Sequence, residues 1–536
     1  MVPLEHIRAL VSAGKLAEAI GHLQPLVRAA VPNSVAASLY SEALSGMVDI
    51  PNEPTFIGDI ERILATAEID IGGASRAATI VLQGQFQALA RAGLTPSAGL
   101  LGKLAATPHG AAFERLLVRS LIAFRNTSLQ LEASLTALRR QILLKERDNH
   151  SDAGVDVMAA LAIQCFINDY VFSETPEEEA VVGHLAKSLE TDLAAGRIPT
   201  PLHVACLAAY RPLASLEHVD VLSGRDQGSK IYGELLRIQV DELLTERAIR
   251  PTLEVLRFDD ATSRNVQAQY EENPYPHWTR LGIVPVKQPA DQAPQQVLIA
   301  GAGTGRHPIK HAMRAPRDHI VALDLSRASL ARAVRKAREF GATNIRFVHG
   351  DILDVAALGL TFDWISSVGV IHHMADPTAG LRSLAGVLKR GGRIEIGIYT
   401  ESGRKDVVAG IALRDAAGLA ATPHDIRMFR QEVIALPDDH PAKRLTQHQD
   451  FYSLAEVRDL VFNVVEHRFT FGRAKAMIAD AGLRVTYVAA APWVREEFRR
   501  RFSAADSECD LDAWATVDES VPDAFGSMYG FVLTKD

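Results

Sequence analysis

The stretch Val297-Leu-Ile-Ala-Gly-Ala-Gly-Thr-Gly305 decides the fold, because a short apolar run leads directly into a glycine-rich loop. Such a run is typical of a buried strand, and the residues after the loop have the pattern of a helix. Glycine allows a sharp turn and a close approach to a ligand, so Gly301, Gly303 and Gly305 are predicted to bind a cofactor. A dinucleotide-binding loop would carry its third glycine one position later, where this chain has Arg306, so the loop argues against NAD.

Strand-then-helix alternation continues from this stretch to the end of the sequence. Seven apolar runs bounded by turn residues are predicted to be strands: Val297–Ala300, Ile320–Leu323, Ile345–Val348, Trp364–Val368, Arg393–Ile398, Arg484–Ala490 and Tyr529–Leu533. Because parallel neighbours need a crossover connection, these units predict an α/β fold with a Rossmann-like, mostly parallel sheet. The last two strands are expected to form its antiparallel edge.

Two acidic residues follow the second and third predicted strands. Asp324 lies about 20 residues past the glycines, where a carboxylate can accept both hydroxyl hydrogens of a ribose. Asp351 is suited to accept the amino hydrogen of an adenine while Ile352 packs on the purine face. The carboxyl ends of successive parallel strands line one crevice, so these residues predict one nucleoside-binding site.

With these motifs in this order, the chain from about Pro294 onward resembles class I methyltransferases that depend on S-adenosylmethionine (SAM). The resemblance implies SAM as the cofactor, with the three glycines, Asp324, Asp351 and Ile352 in its binding site. The segment from Ser366 to Met374, including Val368, is similar to the segment that lines the cofactor and faces the substrate in this family. The chain departs from the family at Ile299, where many members carry an acidic residue that helps to hold the methionine part of SAM.

The first half of the sequence has a different pattern. It is rich in Ala and Leu with apolar residues at helical spacing, which predicts an all-helical domain over residues 1–250 of a degenerate tetratricopeptide-like kind. The whole chain resembles bacterial methyltransferases that join such a helical half to the catalytic fold. The segments that carry this likeness are Gln164–Tyr170, Tyr270–Trp278, Asp450–Ser453 and Glu466–Thr470.

Residues 251–293 are predicted to be a linker with an aromatic segment, followed by the catalytic domain over 294–536. Prolines prevent a regular helix in this segment. Its Tyr275, His277 and Trp278 combine rings with hydrogen-bonding groups, and they are predicted to bind substrate as a lid over the cofactor. The alternative is a proline-stiffened linker whose aromatic side chains pack between the domains.

Two neighbouring histidines follow the fourth predicted strand. His373 is predicted to be a general base, because imidazole titrates near neutral pH and lies here at the carboxyl end of a strand. His372 is assigned to substrate binding, although adjacent side chains point in different directions and at most one of the two is expected to face the substrate. The alternative is a loop histidine that bonds only to the backbone.

A long gap between the fifth and sixth predicted strands indicates a helical cap inserted around residues 401–475. Its His448 and Asp450 are predicted to bind substrate, and Tyr452 is predicted to be catalytic. The alternative is a solvated pair of helices.

The composition of the 536 residues sets further limits. A net charge of −8 argues against a nucleic-acid partner, and 47% hydrophobic with 23% charged residues is the balance of a globular protein. Three scattered cysteines predict neither disulfides nor a zinc site, and no other metal site is predicted. Without a signal pattern or a membrane-spanning stretch, a cytoplasmic location is expected.

Three functions are compatible with the sequence. The first is methylation of a protein or peptide side chain recruited by the helical domain, since helical arrays present concave surfaces. The second is methylation of a small molecule enclosed by the cap, with the helical domain serving to form a homodimer. The third is a SAM-binding regulator or scaffold without turnover.

Overall fold

The computed structural model describes residues 2–31, 33–148, 152–224, 229–256, 271, 274, 276–282, 288–289, 291–502 and 508–535. Tyr275 and much of the predicted linker lie outside the described residues. Contacts divide the chain into a helical unit and a sheet unit. The helical unit comprises Met1–Leu244, Trp278–Val284 and Tyr452–Leu454, and the sheet unit comprises Thr245–His277, Pro285–Phe451 and Ala455–Asp536.

The first half of the chain is built from helices. They are α1 Leu4–Ser12, α2 Leu16–Val27, α3 Ser34–Gly46, α4 Pro54–Ala65, α5 Gly72–Arg91, α6 Ala98–Leu104, α7 Pro108–Ala123, α8 Leu129–Gln141, α9 Asp152–Ile167, α10 Pro176–Ala194, α11 Pro201–Ala208, α12 Lys230–Leu236 and α13 Glu242–Ile249. Their lengths range from 7 residues in α6 to 20 in α5. The division between the units falls inside α13, a few residues before the predicted boundary at 250.

Two sequence segments singled out above meet inside the helical unit. The backbone carbonyl of Asn168 accepts a hydrogen bond from the Leu454 amide at 3.1 Å. The Ser453 hydroxyl donates to Asp169 Oδ2 at 2.5 Å. Asp169 and Tyr170 both have a left-handed backbone, with φ of +53° and +61°, which forms the sharp turn after α9. This turn therefore holds the short segment Tyr452–Leu454 of the insertion.

The sheet unit contains eight strands. They are β1 Glu254–Val255, β2 Gln296–Ala300, β3 His319–Asp324, β4 Ile345–His349, β5 Phe362–Val368, β6 Leu388–Tyr399, β7 Arg484–Ala489 and β8 Met528–Thr534. Their order is β1-β4-β3-β2-β5-β6-β8-β7, and the antiparallel pairs are those of β8 with β6 and with β7. The predicted fold class and antiparallel edge are confirmed, whereas the predicted count of seven strands is wrong because β1 was not foreseen.

Helices connect and flank the strands of this unit. They are α14 Arg306–Arg314, α15 Arg327–Glu339, α16 Pro377–Gly386, α17 Lys405–Ala416, α18 Pro423–Ala435, α19 Leu454–Val461, α20 Phe471–Asp480, α21 Pro492–Arg501 and α22 Leu511–Ser520. The side chains of β2 alternate between two hydrophobic cores, with Leu298 in one and Val297 and Ile299 in the other. Burial of both faces explains the continuous apolar run in the sequence.

The predicted cap lies between β6 and α20. It contains α17, α18 and α19, together with the 3₁₀ turns Pro441–Gln447 and Gln449–Tyr452. The insertion ends earlier than residue 475, because Phe471 and Ala474 of α20 lie in the core of the sheet unit. Among the described residues, no helix has both the length and the apolar character that a membrane span requires.

Candidate active site

A cavity of about 570 Å³ opens at the carboxyl ends of the central strands. The chain passes from β2 to β3 and β4 on one side and to β5 and β6 on the other, so the cavity lies where the strand order reverses. Most of the predicted cofactor residues line it: Gly301, Gly303, Asp324, Asp351, Ile352 and Val368. Among the residues predicted to be catalytic or to bind substrate, His373 also lines the cavity. All the lining residues belong to the sheet unit.

The glycine loop has a backbone that other residues rarely adopt. Gly301, Gly303 and Gly305 have φ of +83°, +52° and +90°. A Cβ at Gly301 would lie 2.2 Å from Val370 Cγ2, which is far inside contact distance. The loop is closed by the Gly301 amide, which donates to the Leu323 carbonyl at 2.9 Å. This local geometry explains why the loop requires glycine.

Gly305 differs from the other two glycines, because it does not line the cavity. It precedes α14, and a Cβ there would lie 2.6 Å from Ala333 Cβ and 2.9 Å from Ala333 Cα of α15. Gly305 therefore has a packing role, because it lets two helices approach the loop closely.

Replacing Gly305 with alanine is expected to lower the free energy of unfolding by about 2–5 kcal/mol. A left-handed backbone costs a non-glycine residue about 1–2 kcal/mol, and forced overpacking adds about 1–3 kcal/mol. Gly341→Ala is the matched control, since Gly341 has φ of +67° but nothing within 4 Å of its added Cβ. Urea unfolding followed by circular dichroism measures both. Equal losses in the two variants would contradict the packing role.

Asp324 is held by two backbone amides. The Gly303 amide donates to Oδ2 at 2.7 Å and the Ser326 amide donates to Oδ1 at 2.8 Å. Each oxygen therefore keeps a lone pair for a further donor, as a ribose diol requires. Burial raises the pKa of Asp324 to about 6, although these two hydrogen bonds act in the opposite direction.

This pKa gives cofactor binding a dependence on pH. Only the ionised carboxylate accepts two hydroxyl hydrogens, so binding is expected to weaken as pH falls through about 6. A group with a pKa of about 6 is roughly 90% protonated at pH 5, which predicts about a tenfold loss of affinity between pH 7 and pH 5. Calorimetry with S-adenosylhomocysteine, which has no methyl group to transfer, measures this loss. In Asp324→Asn, the affinity should no longer depend on pH in this range. If the dependence on pH is unchanged, another group causes it.

The carboxylate of Asp351 has one oxygen that is suited to bind an adenine. Its Oδ1 accepts from the Leu353 amide at 3.0 Å, while its buried Oδ2 has no hydrogen-bond partner among the described residues. A buried carboxylate oxygen without a partner is costly, so a donor from a ligand in the cavity suits this position. Ile352 beside it is only 6% exposed and supplies an apolar wall. These residues fit the adenosine part of SAM.

His373 has a defined tautomer. Its Nδ1 lies 2.8 Å from the Val465 carbonyl oxygen, which can only accept, so Nδ1 carries the hydrogen and donates it. The lone pair is then on Nε2, which is the arrangement that a general base needs. A role as general base is thus compatible with a hydrogen bond to the backbone. One ring nitrogen of His373 bonds to the backbone, and the other can accept a proton.

His372 is fully buried and does not line the cavity. Its ring packs against the Tyr399 ring, with the centroids 3.9 Å apart. Burial lowers the pKa of His372 well below its usual value, so the ring is neutral. The structure places it behind the cavity wall, and this position does not support the predicted contact with substrate.

The other predicted residues that the structure describes do not line the cavity. His277 belongs to the sheet unit, whereas Trp278 and Tyr452 belong to the helical unit and are 9% and 4% exposed. His448 Nε2 lies 2.6 Å from Asp406 Oδ2 within the cap. Asp450 lies in the neighbouring 3₁₀ turn.

Residues 297–392 match the model of the methyltransferase domain family. An uncharacterised protein of Synechococcus is 33% identical over 179 residues, which cover 32% of this chain and 42% of that protein. The tRNA 5-carboxymethoxyuridine methyltransferase of Escherichia coli is 35% identical over 127 residues, covering 23% of this chain and 48% of the enzyme. The chain thus spans less than half the length of these curated relatives. For the matched segment, the predicted enzyme class and the SAM cofactor are confirmed.

The chain also has a distant similarity to a solved structure. PKMT2 of Rickettsia typhi, in complex with AdoHcy, gives a TM-score of 0.36 and 12% identity, covering 53% of this chain and 54% of that one.

Sequence reasoning missed several polar residues of the cavity, among them Tyr399 and Asp459. Tyr399 ends β6, and its position at the carboxyl end of a strand was a signal that could have identified it. Asp459 lies on α19 of the insertion, where no local pattern sets it apart. Ile299 is 1% exposed in the hydrophobic core, so position 299 presents no polar group to the cavity.

Proposed function

We propose that the chain is a SAM-dependent methyltransferase that methylates a protein or peptide side chain recruited by its helical unit. The observation that supports the proposal is the single cavity that joins the glycine loop and both nucleoside-binding acids to His373. The helical unit would serve as a tetratricopeptide-like docking platform. On sequence grounds we also propose a cytoplasmic location.

In this proposal, some residues of the chain bind the cofactor and one transfers a proton. SAM, when bound, supplies an activated methyl group. Asp324 and Asp351 hold the adenosine, and the loop backbone at Gly301 and Gly303 leaves room for it. His373 accepts the acceptor's proton at Nε2 where the acceptor arrives protonated. Holding the two reactants in line contributes about 7–11 kcal/mol, so positioning is the larger part of the catalysis.

The size of the cavity supports an acceptor group that is slender. Cavities for a single drug-sized ligand span about 300–1,000 Å³, and the 570 Å³ here must hold the cofactor as well. A side chain presented by a peptide meets this limit. A small-molecule acceptor enclosed by the insertion is the second candidate, favoured by the contribution of Asp459 from α19 to the cavity.

Transfer of a radioactive methyl group from SAM into a cell extract tests the proposal. Label in the acid-precipitated protein is expected, and label confined to the soluble fraction would favour the small-molecule acceptor. Absence of transfer by a chain that binds S-adenosylhomocysteine would favour a non-catalytic regulator.

The docking role needs a separate measurement on the full chain. Deleting the helical unit is unsuitable, because Tyr452–Leu454 would lose its partners Asn168 and Asp169. Hydrogen exchange of the full-length chain, with and without the labelled acceptor protein, is expected to show protection within residues 2–244. Protection restricted to the sheet unit would contradict recruitment by the helices.

A further inference from the structure

The carbonyl that holds His373 belongs to an irregular segment of the chain. Residues 463–468 lie between α19 and α20 and form neither helix nor strand. The Val465 carbonyl of this segment accepts the hydrogen bond from Nδ1 of His373 at 2.8 Å. Irregular backbone is more mobile than the elements that it connects. The direction of Nε2 of His373 therefore depends on the contacts that hold this segment in place.

The side chain next to that carbonyl forms a buried ion pair. Glu466 accepts hydrogen bonds from Nε and Nη2 of Arg404, the first at 3.3 Å, so the planar guanidinium meets both carboxylate oxygens. The side chain of Arg404 is 2% exposed and that of Glu466 is 8% exposed. A buried pair is screened little by salt, and a contact at two points fixes its orientation. The pair thus holds Glu466, and with it the backbone at Val465.

Arg404 also contacts two other parts of the cavity wall. Its guanidinium carbon lies 3.8 Å from the centroid of the Tyr399 ring, which lines the cavity. The Tyr399 ring in turn meets the His373 ring edge-on, with the centroids 5.6 Å apart. Nη2 of Arg404 also donates to the Leu460 carbonyl in the last turn of α19 at 3.3 Å. One guanidinium therefore joins the end of β6, the last helix of the insertion and the segment that holds His373.

We infer that Arg404 is a positioning residue for methyl transfer, which acts through Glu466 and Val465 to keep Nε2 of His373 directed at the acceptor. The inference rests on the proposed function, because His373 needs a fixed direction only if it accepts a proton. Arg404 does not line the cavity, so it acts without touching either reactant. A displacement of about 1 Å at a reacting group can cost about 100-fold in rate.

A double substitution of the ion pair tests the effect on rate. Arg404→Gln combined with Glu466→Gln removes both charges, because removing one alone would leave the other buried without its partner, which is strongly destabilising. Single-turnover transfer from methyl-labelled SAM to the protein fraction of cell extract is expected to slow by about 10- to 100-fold. S-adenosylhomocysteine affinity is expected to stay unchanged. The matched control is Glu246→Gln with Arg335→Gln, a pair at 2.9 Å between α13 and α15 that should leave the rate unchanged.

The same substitutions in the His373→Asn background separate positioning from a general structural role. A residue that acts through His373 has nothing left to position once the base is gone, so its effect should not add to the loss of the base. The residual rate is expected to fall by less than about threefold. An equal fall in both backgrounds, or an unchanged rate in the chain that retains His373, would overturn the inference. If the unsubstituted chain transfers no label, the proposed function itself fails.

Arg404→Lys keeps the test decisive if the double substitution prevents folding. Lysine leaves a cation beside the buried Glu466, but it has a single ammonium instead of a planar fork, so it cannot meet both carboxylate oxygens while lying flat over Tyr399. Its transfer rate is expected to fall by about tenfold, and only in the chain that retains His373. A parental rate in Arg404→Lys would show that the fork is not needed and would overturn the inference.

Discussion

Asp324→Ala is expected to weaken binding of S-adenosylhomocysteine by about a hundredfold or more. Hydrogen bonds to a charged group contribute about 1.5–3 kcal/mol each, and each 1.4 kcal/mol is about a factor of ten in affinity. Two such bonds to the ribose would be lost together. The loss would also release the Gly303 amide, which now donates to this carboxylate.

Isothermal titration calorimetry at pH 7.5, where Asp324 is ionised, measures the effect. Asp480→Ala is the control, because Asp480 forms only an exposed surface ion pair with Arg382. Thermal unfolding of both variants separates lost binding from lost structure. An Asp324→Ala chain that remains folded and binds as tightly as the parent would remove the ribose assignment.

His373→Asn is expected to lower kcat by about 100- to 10,000-fold, the usual contribution of a positioned general base. Asparagine is chosen because its amide can replace Nδ1 as the donor to the Val465 carbonyl while offering nothing at the position of Nε2. The loss then reports the missing base rather than a displaced loop. S-adenosylhomocysteine binding should be retained.

Single-turnover transfer to the labelled acceptor measures this rate. His184→Asn is the control, since its Nδ1 also bonds to a backbone carbonyl, that of Ala180, but on the exposed surface of α10. Wild-type rates in His373→Asn would mean that solvent or another group takes the proton.

The sheet and the cofactor side were readable from the sequence because they depend on local patterns. The apolar run before Gly301 and the acidic residues after two later strands can each be recognised from their position along a single strand. β1 was missed because Glu254 and Val255 carry no apolar pattern, and only pairing with β4 makes them a strand.

The residues expected to contact the methyl acceptor were harder to predict from the sequence, because their positions depend on tertiary contacts. Asp459 reaches the cavity only through the path of the insertion, which no local spacing encodes. Sequence alone also could not decide between His372 and His373, since their directions depend on how the turn packs against Tyr399. Tyr452 belongs to the helical unit, a grouping that its polar neighbours along the chain do not indicate.

The position of β8 has a consequence for how the protein is made. β8 lies between β6 and β7, so β7 has no neighbour in the sheet until residues 528–534 have been synthesised. Met528, at the start of that strand, also lines the cavity. A nascent chain interrupted before this point would leave the β6 edge unpaired, and unpaired edges promote aggregation. Completion of the cavity and protection of the β6 edge thus depend on the same strand.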